Sequence, residues 1–354
     1  MADVAPFRAI RYARSTPSVT APPYDVIGPE ERARYLALDP CNVVHLTLNE
    51  SEEAAGALFR SWLADGTLVE DAEPAAWAVR QDYVGPDGVA RRREGVVASL
   101  RVEPYETRVV LPHERTHAGP KESRLRLLRA ARAQLEPIFL LYDGDPPVTP
   151  PAREPDLEAG ATSLWRVDGS GLPGFFADRQ LLIADGHHRY ETAVAYAAET
   201  GADRMMVVLV STSDPGLEIF PTHRLFRGHE GAVPEAPREA SPEAALERLG
   251  GLGYECGRAV GYRAGGAVLV EGREGELDVE LVDRLVGHEG IDYTPDAAEA
   301  IRRVDAGEAD GAFLLRATRI EDVFCRAREG QVMPQKTTYF FPKLTSGLLF
   351  HGAG

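Results

Sequence analysis

Five consecutive residues, Asp185-Gly186-His187-His188-Arg189, concentrate reactive groups at one point of the chain. An aspartate can hold a metal ion or orient a cation. Two histidines can move protons near neutral pH, and an arginine is a planar, bidentate anion donor. Apolar Leu181 to Ala184 precede the cluster, and Ala193, Val194, Ala197 and Ala198 follow it on one helical side. This pattern predicts a buried strand, a tight turn, and a helix over 188–200. The unpaired amides at a helix start attract phosphate. Asp185 and His188 are therefore candidate catalytic groups, with Asp185 also the candidate metal ligand. Gly186, His187 and Arg189 are candidate phosphate or substrate binders.

A second cluster, His113-Glu114-Arg115-Thr116-His117, spells H-E-x-x-H. Zinc-protease chemistry needs both histidines on one face of a continuous helix. Pro112 precedes this cluster, Gly119-Pro120 ends it, and no third ligand follows at a convincing spacing. Glu114 reads better as a catalytic carboxylate base in a loop, with Arg115 beside it as an anion binder. Thr222-His223-Arg224 forms a third cluster after the apolar run 205–210, and ligands gather at strand ends in α/β sheets. His223 and Arg224 join the candidate binders. Of 39 basic side chains only three are lysine: Lys121, Lys336 and Lys343. A lysine kept against that bias suits a compact point charge on phosphate. Lys121 and Lys336 are taken as phosphate or substrate ligands. The chain has no P-loop and no G-x-S-x-G elbow.

These groups need a scaffold, and 354 residues at 44% hydrophobic content can build two or three cores. A strand NVVHLTL, a helix opened by Ser51, and a hairpin across the turn Gly85-Pro86-Asp87-Gly88 are expected. A basic helix over 121–134 precedes a strand opened by Pro137. PTHRL reads as a turn, and Thr318 with Glu321 as a capping box. Net charge of -16 argues against nucleic acid or membrane surfaces. Residues 101–132 nonetheless hold eight Lys/Arg against four acids, which suits a small anionic metabolite or nucleotide. No apolar run is long enough to span a bilayer, and the first residues lack a signal-peptide core. Three scattered cysteines fit a reducing cytoplasm. A homo-oligomer is left open.

The segments APPYDVIG, NVVHLTL, HERTHAGPKESRLRLLRAARAQ, PIFLLY, IADGHHRYETAVAY, PTHRL and MPQKTTYFFPKLTSGLLF together resemble the bacterial and archaeal "domain of unknown function 1015" family. The central order of elements is similar to the ParB/sulfiredoxin-like fold, and within it to the free serine kinases. That resemblance implies an α/β (α+β) fold with a central mixed sheet and α/β additions at both ends. It implies that the DGHHR turn handles nucleotide phosphate and magnesium. It also implies that Glu114 activates a hydroxyl, with Asp185, His187, His188 and Arg189 forming the phosphate site.

The resulting expectation is a cytoplasmic phosphotransferase acting on a small hydroxylated metabolite, serine or phosphoserine first, using ATP or ADP with Mg. A phosphate-ester phosphatase using the same residues is the first rival, and a nucleotide-binding regulator without turnover is the second. The zinc peptidase is the last. The expected organisation is an N-terminal α/β region over 1–104, a catalytic core over 105–228, a C-terminal α/β region over 229–330, and a tail over 331–354 that docks back on the body.

Overall fold

Alternating apolar runs and turn residues produce the mixed α/β class that the sequence implies. The computed structural model describes residues 1–354 apart from Ser15, residues 115–117, Glu230 and Gly354; of residues 118–120 it describes the backbone alone. The chain forms two compact units. The first comprises Met1–Pro112, Thr116–Leu217 and Pro342–Gly354, and the second His113–Arg115 and Glu218–Phe341.

The first unit is built on a nine-stranded mixed sheet among the described residues. From one edge its order is Val110–Leu111, Leu181–Asp185, Ile138–Tyr142, Arg204–Ser211, Ala90–Arg101, Ala76–Val84, Thr162–Val167 and Leu157–Ala159. Val4–Ala5 also lies against Ala90–Arg101. Leu181–Asp185 runs parallel to Val110–Leu111, and Ile138–Tyr142 parallel to Arg204–Ser211; the other pairings are antiparallel. The Ile138–Tyr142 strand is buried along its whole length, as an unbroken apolar run requires. Ile138, Leu140, Leu181, Ile183, Val207 and Leu209 share a core with Tyr190 and Ala193 of the His187–Thr200 helix. A smaller sheet sets Phe350–Gly352 between Ala9–Tyr12 and Ala133–Gln134, with Leu68–Glu70 beyond Ala9–Tyr12.

The second unit holds a five-stranded antiparallel sheet. Its order is Gly266–Glu274, Cys256–Arg263, Gly311–Leu314, His223–Phe226 and Ile291–Thr294. The helices Pro242–Gly250, Asp278–Val286 and Ala297–Asp305 cover it. Among the described residues no helix is long and apolar enough to cross a membrane.

Four local expectations change. Val44–Thr47 is a helical turn, not a strand. Asn42 Oδ1 accepts from the Val44 amide at 2.9 Å, and Asn42 Nδ2 donates to the Ser18 and Thr20 carbonyls. That capping, with Val43, Val44 and Leu46 buried, outweighs the β-branched propensity. His223–Phe226 is a buried strand instead of a turn. The basic helix spans Ala118–Ala131 and gives way to the Ala133–Gln134 strand. Thr318 caps nothing, because its hydroxyl donates to the Thr337 carbonyl. The segment Gly169 to Gly174 has G-x-G-x-x-G spacing, yet it opens a helix of only five residues. A Cβ on Gly169 would meet Ala76, Pro6 and Leu172, so close packing explains that glycine.

Candidate functional site

Asp185 ends a buried strand whose pairing with Ile138–Tyr142 slips by one residue between Ile183 and Asp185. Such a bulge re-aims the side chain that follows it. Gly186 then turns with φ 100°, the left-handed region where a side chain is strained. A Cβ there would also stand 2.6 Å from Ile138 Cγ2. Only glycine lets the chain pass and start the His187–Thr200 helix at once. The first amides of that helix lack partners within it.

Two cations converge on the aspartate. Arg189 Nη2 donates to Asp185 Oδ2 at 2.7 Å, and Lys343 Nζ donates to Asp185 Oδ1. Arg189 Nη1 also donates to the Pro137 carbonyl, which fixes the guanidinium plane. Burial favours the neutral acid at Asp185, but Lys343 and Arg189 outweigh it and hold the carboxyl below its usual range. His187 is buried and adds to that effect. His188 is half-buried, and its carbonyl accepts from Thr192 Oγ1 at 2.7 Å.

Around this pair lie further groups, one of them on the Pro22 to Ile27 loop, which from sequence reads equally as a ligand lid or as a packing loop. The Pro22 to Ile27 loop contributes Tyr24, whose amide donates to Glu136 Oε1 at 3.2 Å. Ser346 donates to the same oxygen at 2.6 Å. Glu136 is 6% exposed. Arg124 lies 4.2 Å from the Tyr24 ring centre and donates to the Thr47 carbonyl at 3.1 Å. A cavity beside Arg189 is lined by Arg124, Leu127, Leu128, Leu135, Glu136 and Thr192. Its lining combines charged groups with leucine side chains.

The second unit carries the remaining candidates. Glu114 forms a parallel bridge with Met333, and the Met333 amide donates to the His113 carbonyl at 2.8 Å. His113 Nε2 is 3.0 Å from Thr338 Oγ1. His113 and Glu114 are thus not helical, so they lack the helix that the zinc pattern needs. Arg224 is 1% exposed and donates to the Thr222 and Gln335 carbonyls. Its charge is felt by Tyr293, and Glu114 acts on both. Arg224 and Glu114 therefore belong to one polar group. His223 does not act as a cation. Its Nδ1 accepts the Leu315 amide at 3.0 Å, and burial pushes its pKa down to about 4. It is a neutral acceptor that holds the sheet together. Lys336 is exposed and held at φ 55°.

Two assignments change on these facts. Of the three lysines, Lys343 reaches Asp185. Lys121 pairs with Glu191, and Lys336 is exposed. Arg115 falls outside the described residues. The metal assignment of Asp185 does not fit either, because each carboxylate oxygen faces a cation that would repel a divalent ion. Lys343 was visible in FPKLTSG as one of three retained lysines, but nothing local to that segment marks Asp185 as its partner.

The sequence matches the family described as "Protein of unknown function (DUF1015)" over residues 4–286. The chain belongs to that family. The DGHHR turn just described lies within the stretch that matches DUF1015. No curated protein matches the chain. Among solved structures, this DUF1015 member is similar to a conserved hypothetical protein from Pyrococcus furiosus. The identity is 17%, with 68% of this chain and 92% of that one covered, at a TM-score of 0.40. It is similar to a free serine kinase in complex with AMP at 18% identity, covering 68% and 89%, TM-score 0.42. It is also similar to SbnI with C-terminal truncation from Staphylococcus aureus at 12% identity, covering 72% and 83%, TM-score 0.38.

Proposed function

We propose that this protein is a phosphotransferase that moves a phosphoryl group between a nucleotide, ATP or ADP, and a small hydroxylated metabolite, with serine first among acceptors. The Asp185-Gly186 turn, with Arg189 and Lys343 at the start of the His187–Thr200 helix, carries the reading. Phosphoryl transfer asks mainly for positioning and charge stabilisation, and this turn supplies helix-start amides plus two aimed cations. Asp185 keeps the cations in place between turnovers. The cavity beside Arg189 suits the nucleoside, with leucine walls for the base and Glu136 and Arg124 for polar edges. Magnesium would come with the nucleotide's own phosphates, since Asp185 is already neutralised. Glu114 is the proposed proton acceptor.

Phosphorus NMR on the purified full chain with magnesium tests this directly. Separate tubes hold serine with ATP, serine with ADP, and phosphoserine alone. A phosphoserine signal growing as nucleotide is consumed supports the reading. Free phosphate from phosphoserine alone would replace it with a phosphatase, and nucleotide bound without turnover would replace it with a regulator. Glu114→Gln and Arg189→Ala are expected to lose activity by about 100-fold or more while keeping the native circular dichroism spectrum. Full activity in either variant would remove that residue from the mechanism.

A further inference from the structure

Lys343 reaches Asp185 from a stretch without regular structure, residues 342–345. A long side chain on an irregular segment has much conformational freedom to lose, so its backbone must be held by something else. Two strands of the first unit do this. Gln81 and Arg93 sit opposite each other in the Ala76–Val84 and Ala90–Arg101 hairpin. Arg93 is 1% exposed, and its Nη2 donates to the Pro342 carbonyl at 2.6 Å. Its Nε donates to Gln81 Oε1 at 3.1 Å. Gln81 Nε2 in turn faces the Lys343 carbonyl at 3.5 Å and Thr162 Oγ1 at 3.3 Å. Thr162 and Thr345 share a hydrogen bond of 2.9 Å. Pro342, Lys343 and Thr345 are therefore all gripped from one side.

The same group is tied to Asp185. The Arg93 guanidinium lies 4.6 Å from the Phe139 ring centre, and Phe139 is the residue opposite Asp185 in the sheet. One strand thus references both ends of the Lys343–Asp185 pair. A buried arginine and glutamine are costly compared with an apolar pair of similar size, so plain strand stability does not call for them. We propose that Gln81 and Arg93 are positioning residues that fix the backbone around Lys343 and aim its ammonium at the Asp185-Gly186 turn. Their consequence for catalysis rests on the phosphotransferase reading; their grip on Lys343 does not.

The test uses the scarcity of lysine. Full-length wild type, Arg93→Met and Gln81→Glu are acylated with an N-hydroxysuccinimide acetate, and the rate at each lysine is read by peptide mass spectrometry. Gln81→Glu keeps an acceptor for Arg93 and loses the donor to Lys343, so it reports even if Arg93→Met folds poorly. Lys343 is expected to be the slowest site in wild type. In both variants its rate should rise about tenfold while Lys121 and Lys336 keep theirs, as local opening is eased by a lost buried hydrogen bond. An unchanged Lys343 rate in a folded variant would overturn the proposal. A parallel rise at all three lysines would overturn it too, since that marks general loosening. In the phosphorus assay the same variants should lower kcat more than they raise KM. A Lys343 rate rise in the variants, with no turnover in wild type, would leave the positioning intact and remove only the reaction.

Discussion

One titrating residue in each unit contributes to its response to acid. At Asp185 burial opposes ionisation, and Lys343 with Arg189 reverses the balance, so the folded carboxyl titrates below its unfolded value. Stability from that group is present above the unfolded pKa and is lost as pH falls through the folded one. His223 is a different case. Burial lowers its folded pKa to about 4, against 6.5 for a free imidazole. Between those values the unfolded chain binds the extra proton, so stability falls as pH drops through that window. The full difference is on the order of 3 kcal/mol. His223→Gln keeps an acceptor for the Leu315 amide without the titration. Its urea midpoint should change less than that of wild type from near-neutral pH down to the foot of the window. Equal losses in both chains would mean that His223 is not the source.

At the scale of elements, the strand–turn–helix at 181–200 was legible because three signals agree. An apolar run of strand length, a glycine at the turn and a helical apolar spacing all fall within twenty residues. The same holds for the Gly85 to Gly88 hairpin turn and the Ser51 cap. NVVHLTL misled because its helical turn is imposed by Asn42 and the surrounding core, which no local pattern reports. The site was legible only where it is contiguous. Asp185 and Arg189 lie four residues apart, whereas Tyr24, Glu136 and Lys343 reach the turn from distant segments through long-range packing. Gly186 is the element's weak point. Gly186→Ala meets both a positive φ and Ile138, and should cost about 2 kcal/mol or more. Adding Ile138→Leu, which removes the Cγ2 branch that the new Cβ would strike, should restore part of that loss. Thermal unfolding of the single and double variants checks this, and an unaffected melting temperature in Gly186→Ala would show that the turn relaxes freely.

At the scale of the molecule, the first unit is assembled from three separated stretches of chain, and the two stretches of the second fall in the gaps between them in sequence. Removing residues 342–354 should therefore harm the first unit selectively. It takes away the strand between Ala9–Tyr12 and Ala133–Gln134, and leaves Arg93 and Glu136 short of buried partners. Hydrogen exchange should show lost protection at residues 9–12 and 133–134, with Cys256–Arg263 and Gly311–Leu314 still protected. Retained protection throughout would mean that these residues are dispensable to the fold.

Ile10 pairs with Phe350. On the ribosome, residues 218–341 emerge before residue 350 does, so the second unit is complete while the first still waits for a strand. During that interval Ala9–Tyr12 presents an unpaired edge, the kind of edge that recruits other chains. The nascent chain is open to misassembly through that edge until residue 350 has emerged.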